Sequence, residues 1–537
     1  MSNSDEQLSV LAKKTIDTFL CRNPTLATQM GEHKYDDQLD DVSPEFYKES
    51  IEIVKEIRDE LEGIDEAEHS ELGLIDRKVF STSIDLFLFQ LEEIARYEQN
   101  PDFGGFVGGS LFFLFMRDFA PMEERMRCIA SRLEQVPRAF EQYKRTVTQP
   151  VKLWTQLSIQ SIQGIPGLIQ LIISITESQI SKELHDRLKK AGETATKTLE
   201  EVKMWLDGLL PNAQDEWALG PDKFERLLQL RKIPLPSDEI LKLGEHYLRT
   251  FKEELAALAE KISPGSSIDE VREKLKDDHF DTFDETLEAY RKGVIEARQW
   301  VINNDFATIL DGELQVVETP AFIKPIIPTA ALATPGIFDT KKFGEYIVTK
   351  PDEEKGLRRH YAANIPRTCI HEAYPGHFLQ SLGMANAPIS RIMLFELTLI
   401  EGWAFYCEQA TIDMGFNDSP EARFAQTLGL IWRAARIIID IKLSRGEMTF
   451  DESVQMLMDE AGMDESHART EVSRYTQSPG YPLSYLLGRH LIMEARKELE
   501  EEFGSSFNLK LFHDTIINAG SIPVSFIPQL YRVAAKE

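Results

Sequence analysis

Apolar positions recur at helical spacing along most of the chain. Leu8, Leu11, Ile16, Phe19 and Leu20 form one stripe, and Tyr47, Ile51, Ile53, Val54, Ile57 and Leu61 form another. Phe80 to Leu91 is a third segment, whose broad apolar face belongs in a core. Breaks are expected at Asn23-Pro24, Gly104-Gly105 and Gly108-Gly109, and Pro211 is expected to end a long helix that starts near Ser178. The pattern changes between Gly312 and Lys350. Leu314 to Thr319 and Tyr346 to Thr349 read as short strands, joined by an irregular loop carrying Pro320, Pro325, Pro328 and Pro335. Helical periodicity returns from Glu353 to the C-terminus, with breaks at Asn386-Ala387-Pro388, Ser478-Pro479-Gly480 and Ala519-Gly520. The expected fold is mainly α, with a small β-hairpin-like element before the candidate chemistry. Residues 1–311 form a helical region and 312–537 carry the chemistry, the two being expected to make one continuous unit.

Composition narrows the function classes. Hydrophobic residues at 42% and charged residues at 28% suit a globular protein with a large core. A formal net charge of −29, without a clustered basic stripe, argues against nucleic acid or anionic membrane as a partner. Leu153 to Thr176 is long enough to span a bilayer, but Gln156, Gln160, Gln163 and Gln170 recur in it and Gly164-Ile165-Pro166-Gly167 interrupts it. A buried helix pair is expected there instead. Met1 to Gln7 has neither the basic nor the apolar region of a secretory signal. Cys21, Cys128, Cys369 and Cys407 form no C-x-x-C pair, which suits reduced thiols and a cytoplasmic location.

The most informative segment is His371-Glu372-Ala373-Tyr374-Pro375-Gly376-His377. In an H-E-x-x-H helix two histidines one turn apart reach one zinc, and the Glu beside the first polarises a water. Here the second His follows the first by six positions. On an unbroken helix that spacing means a rotation of about 240° and a rise of about 9 Å, too far apart to share an ion. Pro375 lacks a backbone donor and Gly376 tolerates almost any backbone angle, so a distortion there is expected to return His377 to the metal.

Glu401-Gly402-Trp403-Ala404 supplies the third piece. A carboxylate following Leu399-Ile400 on a largely apolar face needs a reason to be buried, and a cation is a sufficient one. Gly402 would let two helices approach, and Trp403 would pack the metal helix in place. Glu408, two turns on and on roughly the same face, is a candidate for supporting a ligand. Glu471-Val472-Ser473-Arg474-Tyr475, with Tyr485 and Arg489, forms a later polar and aromatic cluster. A tetrahedral oxyanion commonly draws on a Tyr hydroxyl, which makes Tyr475 and Tyr485 candidates, with Arg474 or Arg489 clamping a substrate carboxylate. His360, His490 and His513 have no ligand-like spacing.

At these residues the chain resembles a large microbial family known as a domain of unknown function, whose hallmark is H-E-x-x-P-G-H followed by E-G-W-A. The likeness extends to Pro24-Thr25-Leu26-Ala27-Thr28, Trp217-Ala218-Leu219-Gly220 and Phe512-His513-Asp514. The family is similar to the Glu-ligated zinc peptidases, such as angiotensin-converting enzyme and thimet oligopeptidase, which are helical shells around a deep cleft. The resemblance implies zinc held by His371, His377 and Glu401, with Glu372 as general base. Phe378, where many relatives carry a second His, and Thr329-Ala330-Ala331, where a Gly-rich tripeptide is usual, are departures that bear on substrate preference.

The expected activity is zinc-dependent hydrolysis of amide bonds in short peptides, because a helical shell excludes folded proteins. An amidase or deacylase of a non-peptide metabolite is one alternative, and a catalytically silent binding protein another. Intact Glu372 argues against the silent form, which has no need of a base.

Overall fold

The computed structural model describes residues 2–320, 324, 327 and 329–536. Pro325 and Pro328 of the expected proline-rich loop lie outside the described residues. Helices begin where a side-chain oxygen satisfies a free backbone N–H: Ser2 before Asn3–Arg22, Ser43 before Pro44–Glu62, Ser70 before Glu71–Leu88 and Ser181 before Lys182–Leu209.

The four glycines expected to break the chain do not. One helix, Phe103–Met116, runs through all of them, started by Asp102, whose carboxylate accepts from the Gly105 N–H. A Cβ on Gly104 would lie 2.7 Å from Ser161 Oγ and 2.9 Å from the Ile162 nitrogen, so close packing outweighs the low helix propensity of glycine. Residues 152–176 are apolar and long enough to cross a membrane, but form two helices, Lys152–Ile162 and Ile165–Thr176. The pair is not buried as expected on all sides. Trp154, Ile162, Ile169 and Ile172 face the core, while Ile175 is 43% exposed.

The sheet differs from a simple hairpin. Strands β1 (Glu313–Glu318), β2 (Ala330–Ala333) and β3 (Phe343–Val348) are ordered β1-β3-β2. The two expected strands, β1 and β3, are parallel, with Glu313 opposite Phe343. The antiparallel partner of β3 is β2, with Ala330 opposite Val348. Its sequence, Ala-Ala-Leu-Ala, lacks both alternation and β-branched residues, so composition conceals it.

β3 buries Tyr346, whose ring meets Tyr290 edge-on at 5.6 Å, on the helix Phe283–Asn303. That helix packs on Ile365–Glu372, closely enough that a Cβ on Gly293 would lie 2.8 Å from Cys369 Sγ. The sheet and the Phe283–Asn303 helix thus fix the helix that carries His371. One apolar core crosses the 311/312 boundary, joining Val79, Phe224 and Tyr290 to Cys369, Trp403 and Phe512. All four cysteines are free.

Candidate metal centre

The helix Ile365–Glu372 ends at the candidate base, and a second helix, His377–Met384, begins at the second histidine. Between them the chain leaves the helical path through Ala373-Tyr374-Pro375-Gly376, with a cis Tyr374–Pro375 bond. The distortion expected at Pro375-Gly376 is present. The Gly376 N–H donates to the Ile370 carbonyl, and a Cβ on Gly376 would lie 1.9 Å from the His371 carbonyl oxygen. Trp403 Nε1 donates to the Pro375 carbonyl at 2.9 Å, fixing the linker from the neighbouring helix. The His371 and His377 rings, which a straight helix would separate, stand 4.8 Å apart and nearly perpendicular.

Glu401 comes from the helix Leu397–Asp413. This helix crosses Ser484–Phe503 at a pair of glycines: a Cβ on Gly402 would lie 2.5 Å from the Gly488 carbonyl carbon, and one on Gly488 2.0 Å from the Thr398 oxygen. Glu401 Oε2 is 3.4 Å from His377 Nε2 and 3.9 Å from His371 Nε2. Burial alone would raise the Glu401 carboxyl, but the hydrogen bond to His377 and the charges of both histidines hold it down at about 2. Burial works against a charged His377 as well, and Glu401 overrides it, raising the imidazole above its ordinary value.

Glu408, two turns further along the same helix, accepts from His371 Nδ1 at 2.8 Å. Arg367 Nη1 reaches both Glu408 oxygens at 3.1 Å and its Nε and Nη2 bond Asn364. Burial raises the Glu408 carboxyl, but the Arg367 charge and the His371 hydrogen bond outweigh it and keep it at about 2. With Nδ1–H engaged by Glu408, His371 Nε2 is left with its lone pair free on the side of Glu401 and His377.

The donor set suits a tetrahedral divalent cation. Zinc bonded at about 2.0–2.1 Å separates its ligand atoms by about 3.3–3.4 Å. One ligand atom each from His371, His377 and Glu401 lies within 4.8 Å of the others. Glu372 adjoins them, its Oε1 4.0 Å from His371 Nε2, and is part of the same cavity wall as His377 and Glu401. That cavity has a volume of about 1040 Å³. The edge strand β2 lines it through Ala331, Leu332 and Ala333, and Ile16, Phe19, Phe112 and Phe113 close it from the N-terminal helices.

Of the expected tyrosines, Tyr485 reaches the site and Tyr475 stands behind it. Tyr485 packs edge-on against Phe405, which in turn packs against the His371 ring at 5.1 Å. Its hydroxyl bonds that of Tyr481. Burial and then the Glu401 charge push the phenol well above its ordinary pKa. Tyr475 accepts from Trp432 Nε1 at 3.3 Å within a separate apolar cluster. Neither expected arginine is brought to the triad. Arg474 is exposed and pairs with Glu471 one turn back on its own helix. Arg489, one turn beyond Tyr485, packs behind the Glu401 helix and donates to Gln409 at 2.8 Å. His360, His490 and His513 bond Thr349, Tyr247 and Tyr406.

Two other arginines do stand here. Arg436 stacks at 4.1 Å on Tyr485, and Arg433 at 4.9 Å on Phe405. Their signal in the sequence is an R-x-x-R spacing within Ile431 to Ile439, a stretch otherwise almost wholly apolar.

The protein is mainly helical, with a His/His/Glu cluster at the wall of a large cavity. The chain belongs to the family described as bacterial protein of unknown function (DUF885), which matches residues 24–530. No curated protein sequence matches it. A candidate lipoprotein of unknown function from Shewanella oneidensis has the same fold, with a TM-score of 0.81, 22% identity, and 97% of this chain and 99% of that chain covered. A candidate lipoprotein from Colwellia psychrerythraea aligns with a TM-score of 0.87 at 18% identity, covering 99% of each chain. These neighbours overturn the cytoplasmic expectation. Free thiols and an acidic composition do not fix a compartment, and this fold occurs in proteins described as lipoproteins.

Proposed function

We propose that the protein is a zinc-dependent hydrolase of amide bonds acting on short peptides. The observation that carries this reading is the convergence of His371, His377 and Glu401, with Glu372 beside them, at the wall of a large cavity. Zinc held by the three ligands supplies Lewis acidity toward water and a substrate carbonyl. Glu372 accepts a proton from water as the water oxygen bonds to the amide carbon. It delivers that proton to the nitrogen as the C–N bond breaks, and the released acid passes its own proton to the amine, giving a carboxylate and an ammonium. Glu408 holds the His371 ring in place, and Tyr485 is the candidate donor to the developing oxyanion.

Two features favour a peptide. β2 is an edge strand along the cavity, and an edge offers backbone groups to an extended chain. The likeness to angiotensin-converting enzyme and thimet oligopeptidase points the same way. The apolar wall of Phe19, Phe87, Phe112 and Phe113 favours a second reading, hydrolysis of an acylated amino acid.

The test begins with protein stripped by a chelator, reloaded with zinc and analysed for metal. Wild type and Glu372→Gln at matched zinc content are then offered a peptide library and a set of acylated amino acids. One zinc per chain is expected, with turnover of one substrate set and a loss of about two to four orders of magnitude in Glu372→Gln. Failure to take up zinc, or equal rates in the two proteins, would overturn the reading.

A further inference from the structure

Arg433 and Arg436 stand one turn apart on the helix Pro420–Arg445. Among the described residues, neither has a carboxylate within ion-pair distance. Arg436 is 3% exposed, and its Nε and Nη2, like Nε of Arg433, are buried without a hydrogen-bond partner. Arg367 and Arg231, also near the triad, each hold a carboxylate, on Glu408 and Glu396. The acids whose charges reach the pair are already committed, Glu401 to His377, Glu471 to Arg474, and Glu408 to Arg367 and His371.

Aromatic faces surround the pair instead. Arg436 lies 4.1 Å from the Tyr485 ring, 5.2 Å from Tyr475 and 5.5 Å from Tyr481, and Arg433 lies 4.0 Å from Trp432 and 4.9 Å from Phe405. Stacking offsets part of the lost hydration and fixes the guanidinium planes, but it neutralises no charge. Burial and the neighbouring charges of Arg436 and Arg367 pull Arg433 down to about 10. Two desolvated cations in one aromatic frame are organised for an anion that the chain itself does not provide.

Their position says where on the substrate that anion sits. Arg433 borders the triad through Phe405, on the His371 side, and Arg436 through Tyr485, which packs on Phe405, whereas the cavity reaches Glu372, His377 and Glu401. A substrate lying across the triad would put its larger part in the cavity and a compact end beside the arginines. A guanidinium fork matches a carboxylate. In a peptide, the terminal carboxylate always lies on the amine-product side of the bond that is cut.

Resting on the hydrolase reading, we infer that Arg433 and Arg436 anchor a free terminal carboxylate on the leaving half of the substrate. The enzyme then removes carboxylate-ended units, from the C-terminus of a peptide or from an acylated amino acid. The clamp expected at Arg474 or Arg489 is thus supplied by a different helix.

The test uses zinc-loaded wild type and three matched N-acylated tripeptides: a free acid, its amide, and an amide ending in Asp. The free acid should exceed both amides at least tenfold in kcat/KM, mostly through KM. That preference should fall below about threefold in Arg433→Gln and Arg436→Gln, and Arg436→Lys should restore part of it. Calorimetry of the same peptides with metal-free protein reads binding without turnover. The free acid should bind more tightly than the amide to wild type, and this difference should be lost in Arg433→Gln. If Arg436→Gln does not fold, the half-buried Arg433 and the acid–amide comparison in wild type still decide. Equal handling of acid and amide would overturn the anchor and leave the hydrolase reading standing. Acid-selective binding without any hydrolysis would overturn the hydrolase reading and leave the anchor standing. An amide ending in Asp that matches the free acid would overturn the assignment to the chain end.

Discussion

His371 Nδ1 and the Glu408 carboxylate are 2.8 Å apart, and Arg367 Nη1 holds both oxygens of that same carboxylate at 3.1 Å. Three residues from two helices therefore decide which nitrogen of His371 is free. Glu408→Gln keeps the size and one acceptor but removes the charge. Zinc affinity should fall about 10- to 100-fold, measured by competition with a chromophoric chelator. An unchanged affinity would show that the ring needs no such support.

Tyr485→Phe and Tyr475→Phe should separate cleanly. Tyr485 touches the Phe405 ring that packs on His371, and burial and then the Glu401 charge keep its phenol protonated. Its loss should lower kcat about a hundredfold or more, with zinc content preserved. Tyr475 is engaged by Trp432 and should change kcat little. Steady-state kinetics with one peptide substrate checks both, and equal effects would count against Tyr485 as the oxyanion donor.

Gly402→Ala places a methyl group 2.5 Å from the Gly488 backbone, so the Glu401 and Tyr485 helices must part. A stability loss of about 1–3 kcal/mol is expected, with weaker zinc binding because Glu401 moves. Gly167→Ala is the control, since its added methyl meets nothing within 4 Å. It should be neutral or stabilising by up to about 1 kcal/mol. Thermal melts with and without zinc compare the two.

Asp440 gives the pH prediction. Burial raises its carboxyl to about 6, against the lowering effect of the Gly480 and Leu483 N–H groups and the Ser444 hydroxyl. The folded state therefore binds a proton between pH 6 and 3.8 that the unfolded chain does not. Above pH 6 the buried charge costs stability, and that cost is relieved as pH falls through 6 toward 3.8. Relative to Asp440→Asn, which does not titrate, wild type should gain on the order of 2 kcal/mol from pH 7.5 to pH 4.5. Chemical denaturation of both proteins across that range measures it, and a constant difference would refute the shift.

The His371 to His377 segment and Glu401 were readable because metal chemistry concentrates donors in short stretches, and Pro375-Gly376 announced the break between them. Glu408 was visible as a face-sharing carboxylate, although its grip on His371 was not. The R-x-x-R spacing of Arg433 and Arg436 marks two charges in an apolar stretch but not what they face, because Phe405 under Arg433 and Tyr475, Tyr481 and Tyr485 around Arg436 come from other segments. Arg474 and Arg489 attracted attention by standing next to or near tyrosines in sequence, but side-chain direction on a helix separated them from the site. Pairing hid the sheet in a similar way: alternation reports a strand, and nothing in β1 or β3 says that they run parallel.

The cavity walls divide along the chain in a way that the candidate metal ligands do not. Ile16, Phe19, Leu26 and Met30 line the same cavity as Glu372, His377 and Glu401, which are encoded far downstream. On the hydrolase reading we propose, one wall that would meet the substrate is therefore encoded apart from the residues that would cut it. On that reading, drift in the opening helices would change which molecules fit the cavity without rebuilding the chemistry, so that related chains would keep one reaction while diverging in diet.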